Sequence, residues 1–216
     1  EILSHRLTKI EPIIIYNGVD KKKYKIGKKS KTPTVLYLGR LQYYKSINVY
    51  IRLAKNLSKN HPKAIFLIAG EGEEIQKLKT FAHRIQSPVT FLGKVTESDK
   101  VRLLQEAWVV VNPSSMEGWG LTVIEANACG TPVVASDVPG LRDSVKHGFS
   151  GYLATYNRLQ DFEKYVSALL KNATLRNRHS KNAILWAKKF TWDTSVKQSL
   201  ELIGNFKVNA IYKKSH

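Results

Sequence analysis

The residues best suited to chemistry stand in one stretch, residues 112–126, where a strand candidate runs through a glycine-bearing loop into a helix. Backbone amides from Gly118 to Thr122 are expected to lie unpaired at the start of that helix, which is an arrangement that binds phosphate. Glu125 falls about one turn into the helix, where its carboxylate can accept two hydrogen bonds from a ribose diol. Glu117 precedes the helix and is placed to face sugar hydroxyls. Each glutamate also has a purely structural explanation. Glu125 could be an acidic residue favoured near a helix N-terminus, and Glu117 could be a turn residue that caps nearby amides.

A second loop carries two cations. The strand candidate at residues 34–38 is followed by Gly39, Arg40 and Lys45. Glycine permits close backbone approach, and the two cations suit a diphosphate, although solvated surface cations are the alternative. The candidates at 64–69 and 89–92 also end in glycines, Gly70 and Gly93, which fits either ligand approach or a simple turn. No G-x-G-x-x-G fingerprint is present, which argues against a nicotinamide or flavin enzyme.

These loops must be positioned by a sheet. Several strand candidates are apolar throughout, as in strands buried on both faces of a parallel sheet. They alternate with amphipathic helix candidates, and Thr96 with Asp99 resembles a helix start. This alternation predicts an α/β fold with a doubly wound parallel sheet in a single Rossmann-like domain. The strand candidates are residues 13–15, 34–38, 64–69, 89–92, 107–112, 132–136 and 151–154, and the helix candidates are 46–60, 73–86, 97–106, 121–128 and 141–146.

After residue 154 the pattern is helical only, with candidates at 159–171, 175–190 and 194–206. We therefore predict a Rossmann-like core over residues 1–155 and C-terminal helices over residues 156–216 that pack on it. Trp186 and Trp192 flank a break in the helical pattern and are expected to pack a helix against the core.

The chain of 216 residues carries a formal net charge of +18, with lysines concentrated in residues 21–31. Such a surface could attract anionic lipids, nucleic acid or a phosphorylated substrate, or could be a solvated lysine-rich loop. Nucleic acid is disfavoured because Tyr24 is the only aromatic residue within the cluster.

Other features bear on location. Cys129 is the only cysteine, which rules out an internal disulfide and a cysteine-based metal site and fits a reducing compartment. No apolar run reaches the length of a membrane span. Residues 1–5 do not resemble a signal peptide. We expect a cytoplasmic protein. One version of this expectation places it peripherally on the inner face of a membrane.

The motifs together resemble glycosyltransferase family 4. Glu117 and Glu125 match its E-x7-E motif, and the match continues through residues 126–136. Residues 17–20, Asn-Gly-Val-Asp, resemble the family's entry to the donor domain, and the segment from Leu38 to Lys45 resembles its GR(L)…K segment. The resemblance covers roughly residues 10–195 and includes the segments 70–72, 91–93 and 138–140 in the expected order.

The resemblance implies the donor-binding, C-terminal half of a retaining enzyme with the two-Rossmann-domain (GT-B) architecture. It would transfer a hexosyl group from a UDP- or GDP-linked sugar to a glycan or lipid-linked acceptor, with no cofactor and no metal. Arg40, Lys45 and Glu117 would be catalytic, and Glu125 would hold the ribose. Lys94 and Val95 would meet the base. The remaining donor-binding residues would be Gly39, Gly70, Gly118, Trp119, Gly120, Leu121 and Thr122.

Two departures from the family pattern matter. Ser46 stands where a glycine usually follows the lysine. The N-terminal Rossmann domain, which supplies the acceptor site and a histidine, has no counterpart; His147 is expected to be a loop residue. The domain alone is therefore expected to bind donor without transferring sugar, and its C-terminal helices are expected to cross to the other half. The open alternatives are a non-catalytic nucleotide-sugar-binding module and a related GT-B enzyme such as a nucleotide-sugar epimerase or glycogen-type synthase.

Overall fold

A computed structural model describes residues 13–212 of the chain. Six parallel strands form one sheet in the spatial order β3-β2-β1-β4-β5-β6. They are β1 (Thr34–Leu38), β2 (Ile65–Ala69), β3 (Val89–Gly93), β4 (Val109–Asn112), β5 (Val133–Ser136) and β6 (Gly151–Ala154). Chain order reverses between β1 and β4, as in doubly wound nucleotide-binding folds. The predicted fold class is confirmed.

Helices connect the strands and follow the last one. They are α1 (Ile47–Asn60), α2 (Ile75–Arg84), α3 (Glu97–Glu106), α4 (Leu121–Ala128), α5 (Leu141–Ser144), α6 (Leu159–Lys171), α7 (Ala173–Ala187) and α8 (Trp192–Tyr212). The predicted cap of α3 is present, because the Thr96 hydroxyl oxygen accepts a hydrogen bond from the Asp99 amide at 3.1 Å.

The sheet separates two apolar cores, which explains why its central strands lack polar alternation. Along β1, Val35 and Tyr37 pack into one core and Leu36 into the other. All four residues of β5 are buried. A strand covered by helices on both faces needs apolar residues at every position.

Several elements differ from the sequence-based expectation, most of them by one to three residues at an end. The predicted strand at residues 13–15 is wrong: Ile13 and Ile14 are about 65% exposed, at 65% and 64%, in irregular backbone without a neighbouring strand. The helix predicted at 141–146 ends at Ser144, because Val145 is extended. The helix predicted to reach Phe190 ends at Ala187. A β-branched or apolar run predicts an element only where another element covers it.

The first two of the C-terminal helices pack on the rest of the fold. α6 contacts α1, β5 and β6, and α7 contacts α4 and α6. Trp186 is held by a 2.8 Å hydrogen bond from its Nε1 to the Ser144 carbonyl, whereas Trp192 is 52% exposed and does not pack as predicted. Among residues 13–212, no helix is long and apolar enough to cross a lipid bilayer. The predictions for residues 1–5 lie outside the described residues.

Candidate functional site

A cavity of about 620 Å³ lies where β1 and β4 end, at the point where strand order reverses. Loops leaving two neighbouring parallel strands diverge there to opposite faces of the sheet, and the gap is where such folds bind ligands. We call it the switch-point cavity. It is lined by Asn17, Tyr37, Leu38, Gly39, Arg40, Lys45, Lys100, Asn112, Glu117, Gly118, Trp119, Gly120, Leu121 and Thr122.

Glu117 is fixed at the centre of a hydrogen-bonded cluster. Its Oε1 accepts hydrogen bonds from Lys45 Nζ at 2.5 Å, Asn112 Nδ2 at 3.2 Å and Ser114 Oγ at 3.0 Å. The side chains of Glu117 and Lys45 are each 13% exposed. Among the described residues, none donates a hydrogen bond to Oε2 of Glu117. One carboxylate oxygen is thus committed to the protein and the other is free for a ligand.

The loop after β1 carries its cations on a constrained backbone. The Tyr37 hydroxyl donates to the Arg40 carbonyl at 2.9 Å, and the Ser115 amide donates to the Tyr44 carbonyl at 2.8 Å, which joins this loop to the one after β4. Arg40 is exposed, and its guanidinium makes one hydrogen bond to the described residues, to the Tyr44 hydroxyl at 3.3 Å. Its guanidinium therefore remains available to an anion.

Ser46 adopts a left-handed conformation, with φ 49° and ψ 40°, at the start of α1. This geometry strains any residue with a Cβ and suits glycine. The family's glycine at this position thus has a conformational cause, and the serine tolerates the same backbone.

The N-terminus of α4 faces the cavity with no side-chain cap. Its first amides have no carbonyl partner within the helix, so Leu121 and Thr122 can donate to an anion. Gly120, at φ 76°, turns the chain into the helix. Behind this loop lies Gly140, where an added Cβ would sit 2.2 Å from the Glu117 carbonyl oxygen. The loop therefore rests directly on glycine backbone.

Glu125 lies behind the cavity wall and is reached through Lys100. Lys100 Nζ lies 2.7 Å from Glu125 Oε1 and 3.5 Å from a Glu97 carboxylate oxygen. Glu125 Oε2 is buried and takes no hydrogen bond within the described part of the chain. The Tyr24 hydroxyl and the Lys23 ammonium both donate to Glu97, which lowers the pKa of that carboxyl to about 2. Glu97 thus stays ionised and holds Lys100 beside the cavity.

Tyr37 forms part of the cavity floor. Burial, reinforced by the negative charge of Glu117, raises the pKa of its hydroxyl well above the usual value. The group is therefore a neutral hydrogen-bond donor at physiological pH.

An aromatic wall closes one side of the cavity. The rings of Trp119 and Tyr16 stack with centroids 4.1 Å apart, and Phe190 meets both rings edge-on at 4.9 and 5.8 Å. Beside this wall Gly18 lets the backbone of residues 191–192 approach closely, because a Cβ there would lie 2.0 Å from the Trp192 backbone nitrogen. The segment before β1 and the start of α8 are consequently held together beside the site.

The structure brings most predicted site residues together. Nine of them line the cavity: Gly39, Arg40, Lys45, Glu117, Gly118, Trp119, Gly120, Leu121 and Thr122. Gly70, Lys94, Val95 and Glu125 do not.

The residues outside the lining have visible local roles. Gly70 packs on the loop after β1, since a Cβ there would lie 1.9 Å from the Gly39 carbonyl oxygen. Lys94 is exposed and pairs with Glu71 at 3.2 Å. Val95 packs against the second core. His147 lies in a loop, as expected, and accepts a hydrogen bond from the Leu153 amide at Nδ1.

Sequence reasoning missed several lining residues. Tyr37 is the residue before the last of β1 and was placed in a buried strand, and Asn112, the last residue of β4, was given no role of its own. Asn17 belongs to a recognised motif whose chemistry was not assigned. Lys100 stands on α3, far along the chain from the loops, and only its spacing after Thr96 placed it on the first turns of a helix. Within residues 13–212, no group of three His, Cys, Asp or Glu side chains is placed to hold a metal ion.

Comparison with curated proteins finds relatives of about twice this length. Glycogen synthase of Mycobacterium tuberculosis is 30% identical over 190 residues, which is 85% of this chain and 46% of that protein. D-inositol 3-phosphate glycosyltransferase of Corynebacterium jeikeium is 30% identical over 187 residues, covering 82% and 45%. The chain thus spans about half the length of the curated relatives it matches.

Solved structures share the fold. Anabaena Alr3699/HepE, crystallised with UDP and glucose, superposes with a TM-score of 0.80 at 24% sequence identity, covering 89% of this chain and 57% of that one. This likeness shows that the chain has the fold of one Rossmann-like half of a GT-B protein. The sequence profile described as glycosyl transferases group 1 matches residues 18–186. The chain belongs to the family of group 1 glycosyl transferases.

Proposed function

We propose that this domain is the donor-binding, C-terminal half of a retaining family 4 glycosyltransferase that transfers a hexosyl group from a UDP- or GDP-linked sugar. The observation that carries the proposal is the switch-point cavity, in which Arg40, Lys45 and the uncapped start of α4 converge on Glu117. Its volume, about 620 Å³, falls in the range of ligand pockets.

The diphosphate of the donor fits the cationic side of the cavity. Arg40 offers a planar guanidinium without a carboxylate partner among the described residues. Amides of Leu121 and Thr122 offer donors aligned with the helix dipole. Lys45 adds an ammonium, shared with Glu117. These groups would stabilise the charge that develops on the departing nucleoside diphosphate, and we propose that the transfer uses neither metal nor cofactor.

The two glutamates suit two different hydroxyl-bearing parts of the donor. Glu117 keeps Oε2 free at the cavity surface and orients the transferred sugar. Glu125 keeps a buried oxygen, Oε2, without a hydrogen bond in the described residues, and a buried acceptor left unpaired is costly. We propose that a ribose diol supplies the missing donor.

The relatives support this assignment. One is named a glycogen synthase, another transfers to D-inositol 3-phosphate by its name, and HepE was crystallised with UDP and glucose. Because the chain spans about half of such relatives, we place the acceptor site, for a glycan or lipid-linked acceptor, in the other half. The C-terminal helices would cross to that half, and the domain alone would bind donor without turnover.

Calorimetry tests the donor assignment directly. The purified domain is titrated with UDP, GDP, UDP-glucose and GDP-mannose, and with AMP as a nucleotide lacking the diphosphate. We expect one nucleoside diphosphate to bind and Arg40→Ala to weaken it, while Lys63→Ala, an exposed lysine elsewhere, leaves binding unchanged. Absence of binding by every nucleoside diphosphate would sink the proposal.

Two rival functions predict different outcomes. A non-catalytic module would bind donor yet support no transfer when joined to the second half of a related enzyme. A nucleotide-sugar epimerase or a glycogen-type synthase would convert the sugar or extend a glucan in that same chimera. Product analysis of the chimera by mass spectrometry separates these activities.

We also propose that the lysine-rich segment, residues 21–31, docks on an anionic membrane surface at the cytoplasmic face. Ile26 is 62% exposed there, and Lys21, Lys25 and Lys28 form no ion pair with the described residues. An exposed apolar side chain among free lysines suits a lipid interface. Tyr24 is buried, with its hydroxyl on Glu97, so it is not free to stack on a nucleic acid base.

Co-sedimentation with vesicles tests this surface. We expect binding to phosphatidylglycerol-containing vesicles that falls in high salt and falls further in Lys21→Glu/Lys25→Glu. Ile26→Ala should lower the fraction of protein that remains bound to the vesicles in high salt. Equal partitioning to neutral phosphatidylcholine vesicles would contradict the electrostatic argument.

A further inference from the structure

A second groove of about 600 Å³ lies behind the aromatic wall of the switch-point cavity. Tyr16 borders this groove and stacks on Trp119, which borders the cavity. We call it the basic groove. Its polar and aromatic lining includes Tyr16, Arg142, Lys146, His147, Trp186 and Lys189.

Positive charge dominates the basic groove. The ammonium groups of Lys146 and Lys189 lie 5.7 and 5.0 Å from the ring centroid of Trp186. Neither lysine forms an ion pair within residues 13–212. Asp143 is the single carboxylate of the lining, while Arg142 is paired with Asp137 at 2.5 Å. With three cationic side chains and one carboxylate in its lining, the groove carries net positive charge, which favours an anion.

The floor of the groove is rigid. Trp186 Nε1 donates to the Ser144 carbonyl at 2.8 Å, which fixes the indole plane. The His147 Nδ1 accepts from the Leu153 amide at 3.0 Å, which leaves Nε2 as the ring nitrogen that can donate. Tyr152 and Tyr165 hold this ring edge-on at 5.6 and 5.7 Å. A preformed surface lowers the entropic cost of binding.

We propose that the basic groove binds a phosphorylated sugar or polyol. Lys146 and Lys189 contact the phosphate as point charges, which is how lysine recognises phosphate. The ring of the ligand lies against Trp186 and Tyr16, whose faces carry partial negative charge and attract C–H groups. His147 Nε2 donates to a hydroxyl. This site does not use the donor residues, so it stands whether or not the switch-point cavity binds a nucleotide.

The test is a set of titrations of the whole chain with glucose 1-phosphate, glucose 6-phosphate and D-inositol 3-phosphate. Glucose and inorganic phosphate serve as probes that lack one half of the ligand. We expect at least one sugar or polyol phosphate to bind more tightly than both partial probes. Lys146→Ala/Lys189→Ala should weaken it at least tenfold. Lys63→Ala/Lys79→Ala, which removes the same charge elsewhere, should not.

Variants also separate the two sites. Arg40→Ala should leave sugar phosphate binding intact, and Lys146→Ala/Lys189→Ala should leave nucleoside diphosphate binding intact. Thermal unfolding of each variant shows whether it remains folded, and Trp186→Phe provides a second probe of the groove that keeps both lysines. The proposal is overturned if no sugar phosphate binds, if inorganic phosphate binds equally well, or if Arg40→Ala abolishes binding.

Discussion

Replacing Glu125 by alanine tests the division of labour between the two glutamates. The Glu125 side chain is 12% exposed, with Lys100 at 2.7 Å on Oε1 and no hydrogen bond from the described residues on its buried Oε2. If Oε2 receives a ribose hydroxyl, Glu125→Ala removes a charge-assisted hydrogen bond that contributes about 1.5–3 kcal/mol. The dissociation constant for the nucleoside diphosphate should then rise by roughly tenfold to a hundredfold.

Loss of Glu125 also removes one of the two carboxylates beside Lys100, and removal of the other one serves as the control. Lys100 has a second carboxylate neighbour, Glu97, at 3.5 Å. Glu97→Ala removes this neighbour while leaving Glu125 in place. We expect Glu97→Ala to change nucleotide affinity less than threefold, since Lys100 keeps its closer partner.

Two further variants complete the comparison, each titrated by calorimetry with the nucleoside diphosphate and with its sugar-linked form. Glu117→Ala should spare the nucleoside diphosphate and weaken only the sugar-linked donor. Arg40→Ala should weaken both ligands. Equal loss of nucleoside diphosphate affinity in Glu117→Ala and Glu125→Ala would refute the assignment. Unchanged binding in both would mean that the glutamates serve only the local structure of α4 and its preceding loop.

Three other changes test the local physics. Gly140→Ala should destabilise the fold by about 1–3 kcal/mol more than Gly148→Ala, and it should also weaken donor binding. Both glycines have positive φ, but only at Gly140 would a Cβ meet the Glu117 carbonyl. Urea unfolding measures the stability and calorimetry measures the binding. Ser46→Gly should stabilise the fold by about 0.5–1 kcal/mol in urea by relieving left-handed strain, and unchanged or lower stability would contradict that strain. Burial lowers the pKa of Lys29 to about 8, so between pH 8 and 10.5 the unfolded chain binds more protons than the folded one, and the free energy of unfolding should rise with pH. In Lys29→Met the free energy of unfolding should rise less across the same window. An equal rise in both proteins would disprove the shift.

The parts of the fold that the sequence predicts are those decided locally. The helix at Glu97–Glu106 has its cap at Thr96, the residue directly before it, and it has the predicted bounds. The failed strand at residues 13–15 has suitable residues but no partner, and partners are set by the whole topology.

The site divides in the same way. The loop from Glu117 to Thr122 is contiguous, so its amides and carboxylate could be assigned to one place. The contact between Lys100 and Glu125 joins α3 to α4 and depends on how these helices pack. Gly70 was expected to approach a ligand, whereas its nearest neighbour is the Gly39 carbonyl. A glycine in the sequence signals close approach without telling which group approaches.

Strand order also has a consequence for how the chain folds. Within each half of the sheet, strands pair with their neighbours in sequence: β1 to β3 in one half and β4 to β6 in the other. The two halves meet where β1 pairs with β4, across about 70 intervening residues. Only two residue pairs are in register there, Val35↔Val109 and Leu36↔Val110. Closing so long a loop is slow relative to local pairing. We expect the two three-strand halves to form first and to dock last. The Lys45–Glu117 pair and the Ser115–Tyr44 hydrogen bond join the loops that follow β1 and β4, and so connect the two halves. A nucleotide bound between these loops should therefore slow unfolding by holding the halves together.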